Sequence, residues 1–97
     1  MSYSFHFRAA DKAEARSAAA AEFDKVVEAQ PNHAHDRQQA EAAFNAFLDL
    51  VEEPAATDDL AVTVSGWVQW RFGEESTTYV GANVSVGISH AAKPTVG

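Results

Sequence analysis

From Leu60 to Phe72 the chain alternates without a break. Leu60, Val62, Val64, Gly66, Val68, Trp70 and Phe72 fall on one face of an extended backbone; Ala61, Thr63, Ser65, Trp67, Gln69 and Arg71 fall on the other. A period of two sustained over this length is a strand pattern, and on a helix it would scatter apolar residues around the axis. The scheme returns near the C-terminus, with Val80, Ala82, Val84, Val86 and Ile88 against Tyr79, Gly81, Asn83, Ser85, Gly87 and Ser89. It also opens the chain, where Tyr3, Phe5 and Phe7 alternate with Ser2, Ser4, His6 and Arg8. Three strands, each apolar on one side and polar on the other, predict an antiparallel sheet covered on one face only.

The segment between the first two strands has the helical period. Asp11 stands three residues before Glu14, the spacing of a capping box. A helix over Lys12–Ala29 follows, alanine-rich, with Ala15, Ala18, Ala19, Phe23, Val26 and Val27 on its inward stripe. Gln30-Pro31-Asn32 ends it, because proline cannot continue the hydrogen-bond ladder. Asn32 is a suitable cap for a second helix over His33–Glu52, with Ala40, Ala43, Phe44, Phe47, Leu48 and Val51 facing inward until Pro54. Similar lengths and a short connection predict an antiparallel helical hairpin.

The order is therefore β-α-α-β-β, an α+β fold in which a three-stranded antiparallel sheet carries an α-helical hairpin on one face. The helical hairpin returns the chain to the sheet end where strand one finished, which favours the order 1-2-3; the order 2-3-1, with strands one and three parallel, stays open. Opposed residues of an antiparallel pair share a face, so two even-numbered inward sets must pair with an even sum. A turn at Glu74-Glu75-Ser76 predicts a sum of about 150. Trp67 then opposes Asn83, Gly66 opposes Val84 and Arg71 opposes Tyr79. A bulge would break this arithmetic. A chain of 97 residues is expected to form one domain, here residues 1–90, with 91–97 as a flexible tail. Phe5, Phe44, Phe47, Val64, Val84 and Val86 are the expected core.

Fourteen acidic residues against seven basic ones give a net charge of −7. Phosphate recognition needs clustered Lys and Arg. Here Arg8, Lys12, Arg16, Lys25, Arg37, Arg71 and Lys93 are scattered singly, so direct nucleic-acid binding and attachment to an anionic membrane are not expected. No apolar run approaches the ~20 residues of a membrane span, and Met1–Arg8 lacks the pattern of a signal peptide. The expectation is a cytoplasmic protein without a membrane segment.

Catalytic patterns are not evident. Without cysteine there is no thiol nucleophile and no cysteine-ligated zinc. His33 and His35 are two apart, whereas zinc-binding helices use i, i+4 pairs, so both are expected to be solvated at a polar helix start. The carboxylates of Glu52, Glu53, Asp58, Asp59, Glu74 and Glu75 lie in turn-like contexts. Nothing matches a calcium loop, a Gly-x-Ser-x-Gly elbow or a phosphate loop. The expectation is a non-enzyme with no catalytic residue, no metal site and no cofactor.

The informative feature is the sheet face left bare by the helices. Small hydroxyl residues there surround Trp67, Tyr79 and Arg71, with Gln69 and Asn83 beside them. Trp, Tyr and Arg are the residue types enriched at interaction hot spots. Trp67 could alternatively serve to shield Gly81 and Ser85 on the neighbouring strand. The segment Ser2–Ala15 resembles the start of small phage- or prophage-encoded proteins of unknown function, and Asn83–Ser89 is similar in style to their last strand. That resemblance implies a phage accessory protein and transfers no catalytic residue. The combined expectation is a non-enzymatic accessory factor that contacts a protein partner through the open sheet face or the acidic loops. The alternatives are a self-associating assembly component and a small metal or ligand binder.

Overall fold

The computed structural model describes residues 2–72 and 77–94, with side chains throughout except at 32, 35, 68–72 and 77–82. Its elements are β1 (Ser2–Ala9), α1 (Lys12–Ala29), a 3-10 turn (Pro31–His35), α2 (Arg37–Asp49), β2 (Asp58–Phe72) and β3 (Thr77–Ala92). The strands form one antiparallel sheet in the order β1-β2-β3, and both helices pack on one side of it. No helix among the described residues is long and apolar enough to cross a membrane.

The register follows from matching faces. Phe5 opposes Val64 and Phe7 opposes Val62 between β1 and β2. Between β2 and β3, opposed numbers sum to 150 from Asp58↔Ala92 to Gln69↔Gly81, which places Trp67 opposite Asn83 and Gly66 opposite Val84. An irregularity at Gln69/Trp70 then shifts the register by one. Beyond it Trp70 opposes Tyr79 and Arg71 opposes Thr78, so the expected Arg71↔Tyr79 pair does not form. The expected turn Glu74–Ser76 lies outside the described residues. At the other end β3 continues through Ala92, two residues into the expected tail.

Helix α1 starts as a capped helix should. The Glu14 N–H donates to Asp11 Oδ1 at 2.8 Å, and Glu14 Oε2 reaches back to the Ala10 N–H at 3.0 Å, one residue before the cap. Its inward row is Ala15, Ala19 and Phe23. The second helix begins later than its pattern suggests. Pro31 opens a 3-10 turn, with the His33 N–H bonded to Gln30 O at 2.9 Å and the Asp36 N–H to His33 O at 3.2 Å. The first α-helical bond of α2 is from the Ala40 N–H to Asp36 O. Asn32 thus lies inside the 3-10 turn and does not cap α2. Asp36 occupies the cap position, but its side chain turns into the interior and makes no capping bond.

Between the layers lies a core of Phe5, Ala9, Ala15, Ala19, Phe23, Ala40, Phe44, Leu48, Leu60, Val62 and Val64. Val84, Val86 and Ile88 pack against it partly buried. Phe47 is a correction: it is 39% exposed. Ala40, Phe44 and Leu48 form one i, i+4 row that meets the sheet, and Phe47 stands a helical step to the side. The other flank of α2 meets α1 through Arg16–Asp49 at 2.9 Å and Arg37–Asp24. The flank bearing Phe47 lies on the side away from α1, over β3 at the edge of the sheet.

Candidate functional site: the open sheet face

Directly opposed residues of the three strands line up in rows across the uncovered face. Ser2, Trp67 and Asn83 form one row; Ser4, Ser65 and Ser85 the next; His6, Thr63 and Gly87 a third; Arg8, Ala61 and Ser89 a fourth. All but the half-buried Ala61 are exposed. This follows from period-two alternation in every strand, since the partner side chains hold the core from the opposite face.

Trp67 is 44% exposed, and its row sits in an open cleft of about 550 Å³ lined by Ser2, Tyr3, Ser4, Ser65, Gly66, Trp67, Asn83, Val84 and Ser85. An indole beside hydroxyls and an amide offers one large apolar surface with donors and acceptors around it. The charge of the face is also distinctive. Arg8 Nε lies 3.7 Å from Asp59 Oδ2, and its Nη2 donates to Ala92 O at 2.9 Å. Among the described residues, that pair leaves the four rows without an uncompensated carboxylate, although the chain as a whole carries −7.

Of the residues singled out from sequence, Trp67 and Asn83 stand side by side in the cleft. Gln69 and Arg71 continue along β2, and the register moves Tyr79 opposite Trp70 rather than Arg71. The side chains of Gln69, Arg71 and Tyr79, and of Trp70, fall outside the described residues.

Behind the cleft is a buried polar cluster that sequence reasoning missed. His33, expected to be solvated, is only 1% exposed, and Asp36 only 3%. Pro31 drives the 3-10 corner that swings His33 inward, where it meets Tyr3 edge-on at 4.8 Å between ring centroids. His33 Nε2 and Gln30 Oε1 are 3.1 Å apart, and the Gln30 amide donates to Ser2 O at 3.4 Å. His33 Nδ1 and Asp36 Oδ1 face each other at 3.7 Å, too far for a hydrogen bond and without other partners. The Tyr3 ring lies over Gly66, its directly opposed partner, and also packs against Phe5 and Phe23. Its phenol is pushed up to about 12, first by burial and then by the Asp36 charge. The i, i+3 spacing of His33 and Asp36 was visible in the sequence; their burial was not, since it depends on the corner.

This cluster ties β1 to the helix connection and so backs the Ser2–Trp67–Asn83 row. Asp36 also borders a cavity of about 50 Å³ with Gln39, Ala40, Asn83 and Val84. No group of three or more His, Cys, Asp or Glu among the described residues could hold a metal ion. No protein-family model, curated protein or solved structure matches this chain.

Proposed function

We propose that this chain is a non-enzymatic, cytoplasmic binding protein that contacts a protein partner through its open sheet face. Its resemblance to small phage-encoded proteins suggests an accessory factor that acts by occluding a host protein. The observation that supports this reading is Trp67, 44% exposed in a cleft of about 550 Å³ on a face where, among the described residues, Arg8 is paired with Asp59. Half-exposed Trp flanked by polar rim residues is the composition of an interaction hot spot.

The test is affinity capture from a host lysate with the wild type and Trp67→Ala in parallel. Truncating a hot-spot tryptophan costs ~2 kcal/mol or more of binding, so a partner retained by the wild type should be lost by the variant. Folding stability should change by less than ~1 kcal/mol, because the side chain is not part of the core. Equal capture by both chains would refute the reading. A second reading is favoured by Ser2, Ser4, Ser65, Asn83 and Ser85 around the indole: a small polyhydroxylated ligand, for which the cleft lies within the usual ~300–1,000 Å³ of ligand pockets. Binding of a sugar library, seen as a shift in Trp67 fluorescence, would distinguish it.

A further inference from the structure

We propose that the outer edge of β3 and the free flank of α2 form one docking surface for a second copy of this chain. The two copies would be related by a two-fold axis and would join into a six-stranded antiparallel sheet. Two independent features meet on this side of the molecule.

The first is the strand edge. From Thr77 to Ala92, β3 contains no proline and no Asp, Glu, Lys or Arg. Edge strands are normally guarded against pairing by charges, proline, bulges or a covering element. The irregularity opposite Gln69/Trp70 lies at the far end, leaving Asn83–Ala92 in regular register. Among the described residues, nothing beyond β2 hydrogen-bonds to the backbone of Asn83–His90.

The second is the flank of α2 above that edge. Asp36, Gln39 and Ala40 border a cavity with Asn83 and Val84, while the His90 ring lies 2.7 Å from Glu52 O just past the helix. The helix therefore runs along β3. Of its ion-paired residues, Arg37 and Asp49 bond to α1 and Glu41 pairs with Arg37. On the opposite flank stand Gln39, Ala43, Ala46, Phe47 and Leu50, none charged, with Phe47 39% and Leu50 83% exposed. These two are the only large hydrophobic residues besides Trp67 exposed among the described residues.

Charge selects the occupant. A chain of net charge −7 repels its own copy wherever carboxylates would meet, and an isologous contact brings each patch against itself. Asn83–His90 of β3 and the flank residues Gln39, Ala43, Ala46, Phe47 and Leu50 carry no fixed charge, and Glu52, whose backbone oxygen meets His90, bounds this stretch at one end. Antiparallel pairing of β3 with itself satisfies the two-fold axis and sets the α2 flanks against each other, burying Phe47 and Leu50. Its size suits a weak dimer: a strand edge ~27 Å long, at ~3.4 Å per residue, and two layers ~20 Å thick bury about 1,100 Å² in total, just above the ~1,000 Å² a biological interface should clear and short of the ~1,200–2,000 Å² of stable ones.

The proposal is tested by light scattering across a concentration series, with hydrogen exchange as the structural readout. The wild type should move toward twice its 10.4 kDa mass, and alternate β3 amides should become protected as it does. Leu50→Glu should raise the dissociation constant more than tenfold with unchanged circular dichroism, since Leu50 is solvent-exposed within one copy. Trp67→Ala should leave the dimer intact. A wild type monomeric up to submillimolar concentration overturns the proposal. So does a dimer that Leu50→Glu leaves unchanged, and so does one that Trp67→Ala alone dissociates, which would assign self-association to the open face.

Discussion

Replacing Gly66 by alanine tests the contact that links the core to the open face. A Cβ at Gly66 would overlap the Tyr3 ring at Cζ, Cε1 and the hydroxyl oxygen, far inside the ~3.5–4.0 Å at which carbon atoms normally meet. Three rings hem it in on the core side, so it can retreat only toward the open cleft that it lines, giving up those contacts. Phe5 stacks on it at 6.4 Å, Phe23 meets it edge-on at 6.3 Å, and His33 holds it at 4.8 Å. Overpacking in such a site costs ~1–3 kcal/mol. If the ring is expelled, its aromatic pairings, worth ~0.5–1.5 kcal/mol each, are lost as well. Gly66→Ala should therefore destabilise by about 3 kcal/mol, a large part of the ~5–15 kcal/mol available to a small domain. A double-mutant cycle isolates the cause. In a Tyr3→Ala background the space is empty, so Gly66→Ala should be neutral or stabilising by up to ~1 kcal/mol, because alanine loses less backbone entropy than glycine. Urea denaturation followed by circular dichroism gives all four corners. Additive costs, with no coupling between the two sites, would refute the placement of Tyr3 over Gly66.

Three further outcomes are expected. Phe44→Ala should cost ~3–5 kcal/mol, whereas Phe47→Ala should cost about 1 kcal/mol or less in the monomer, and thermal melts of the two variants distinguish them. Because the phenol of Tyr3 titrates near 12 in the fold against 10.0 for an ordinary tyrosine, its stabilising effect is complete below pH 10 and declines as the pH rises toward 12. Tyr3→Phe should remove that decline, by about 1 kcal/mol once solvent screening of a partly exposed ring is allowed for; equal alkaline losses in both chains would contradict it. Asp11→Ala should cost ~1 kcal/mol through loss of the α1 cap bond, read from denaturant midpoints.

Element types, strand faces and most of the register were legible in the chain because they depend on local period. Alternation placed Phe5, Val62 and Val64 inside and Trp67 outside, and the face-matching rule paired Trp67 with Asn83. The same rule failed at Tyr79, because a one-residue irregularity near Trp70 leaves no mark in an alternating pattern. On α2, Phe44 and Phe47 are equivalent by spacing; only the position of α1 on one flank and the sheet edge beneath the other made Phe44 core and Phe47 surface. His33 and Asp36 read as a polar helix start, since burial is not a property of a segment. A 3-10 corner after Pro31, set between β1 and α2, carried them inside beside Tyr3. The local sequence determined which face each residue takes on its own element. Tertiary packing decided which faces were covered, because coverage depends on what other parts of the chain bring to that side.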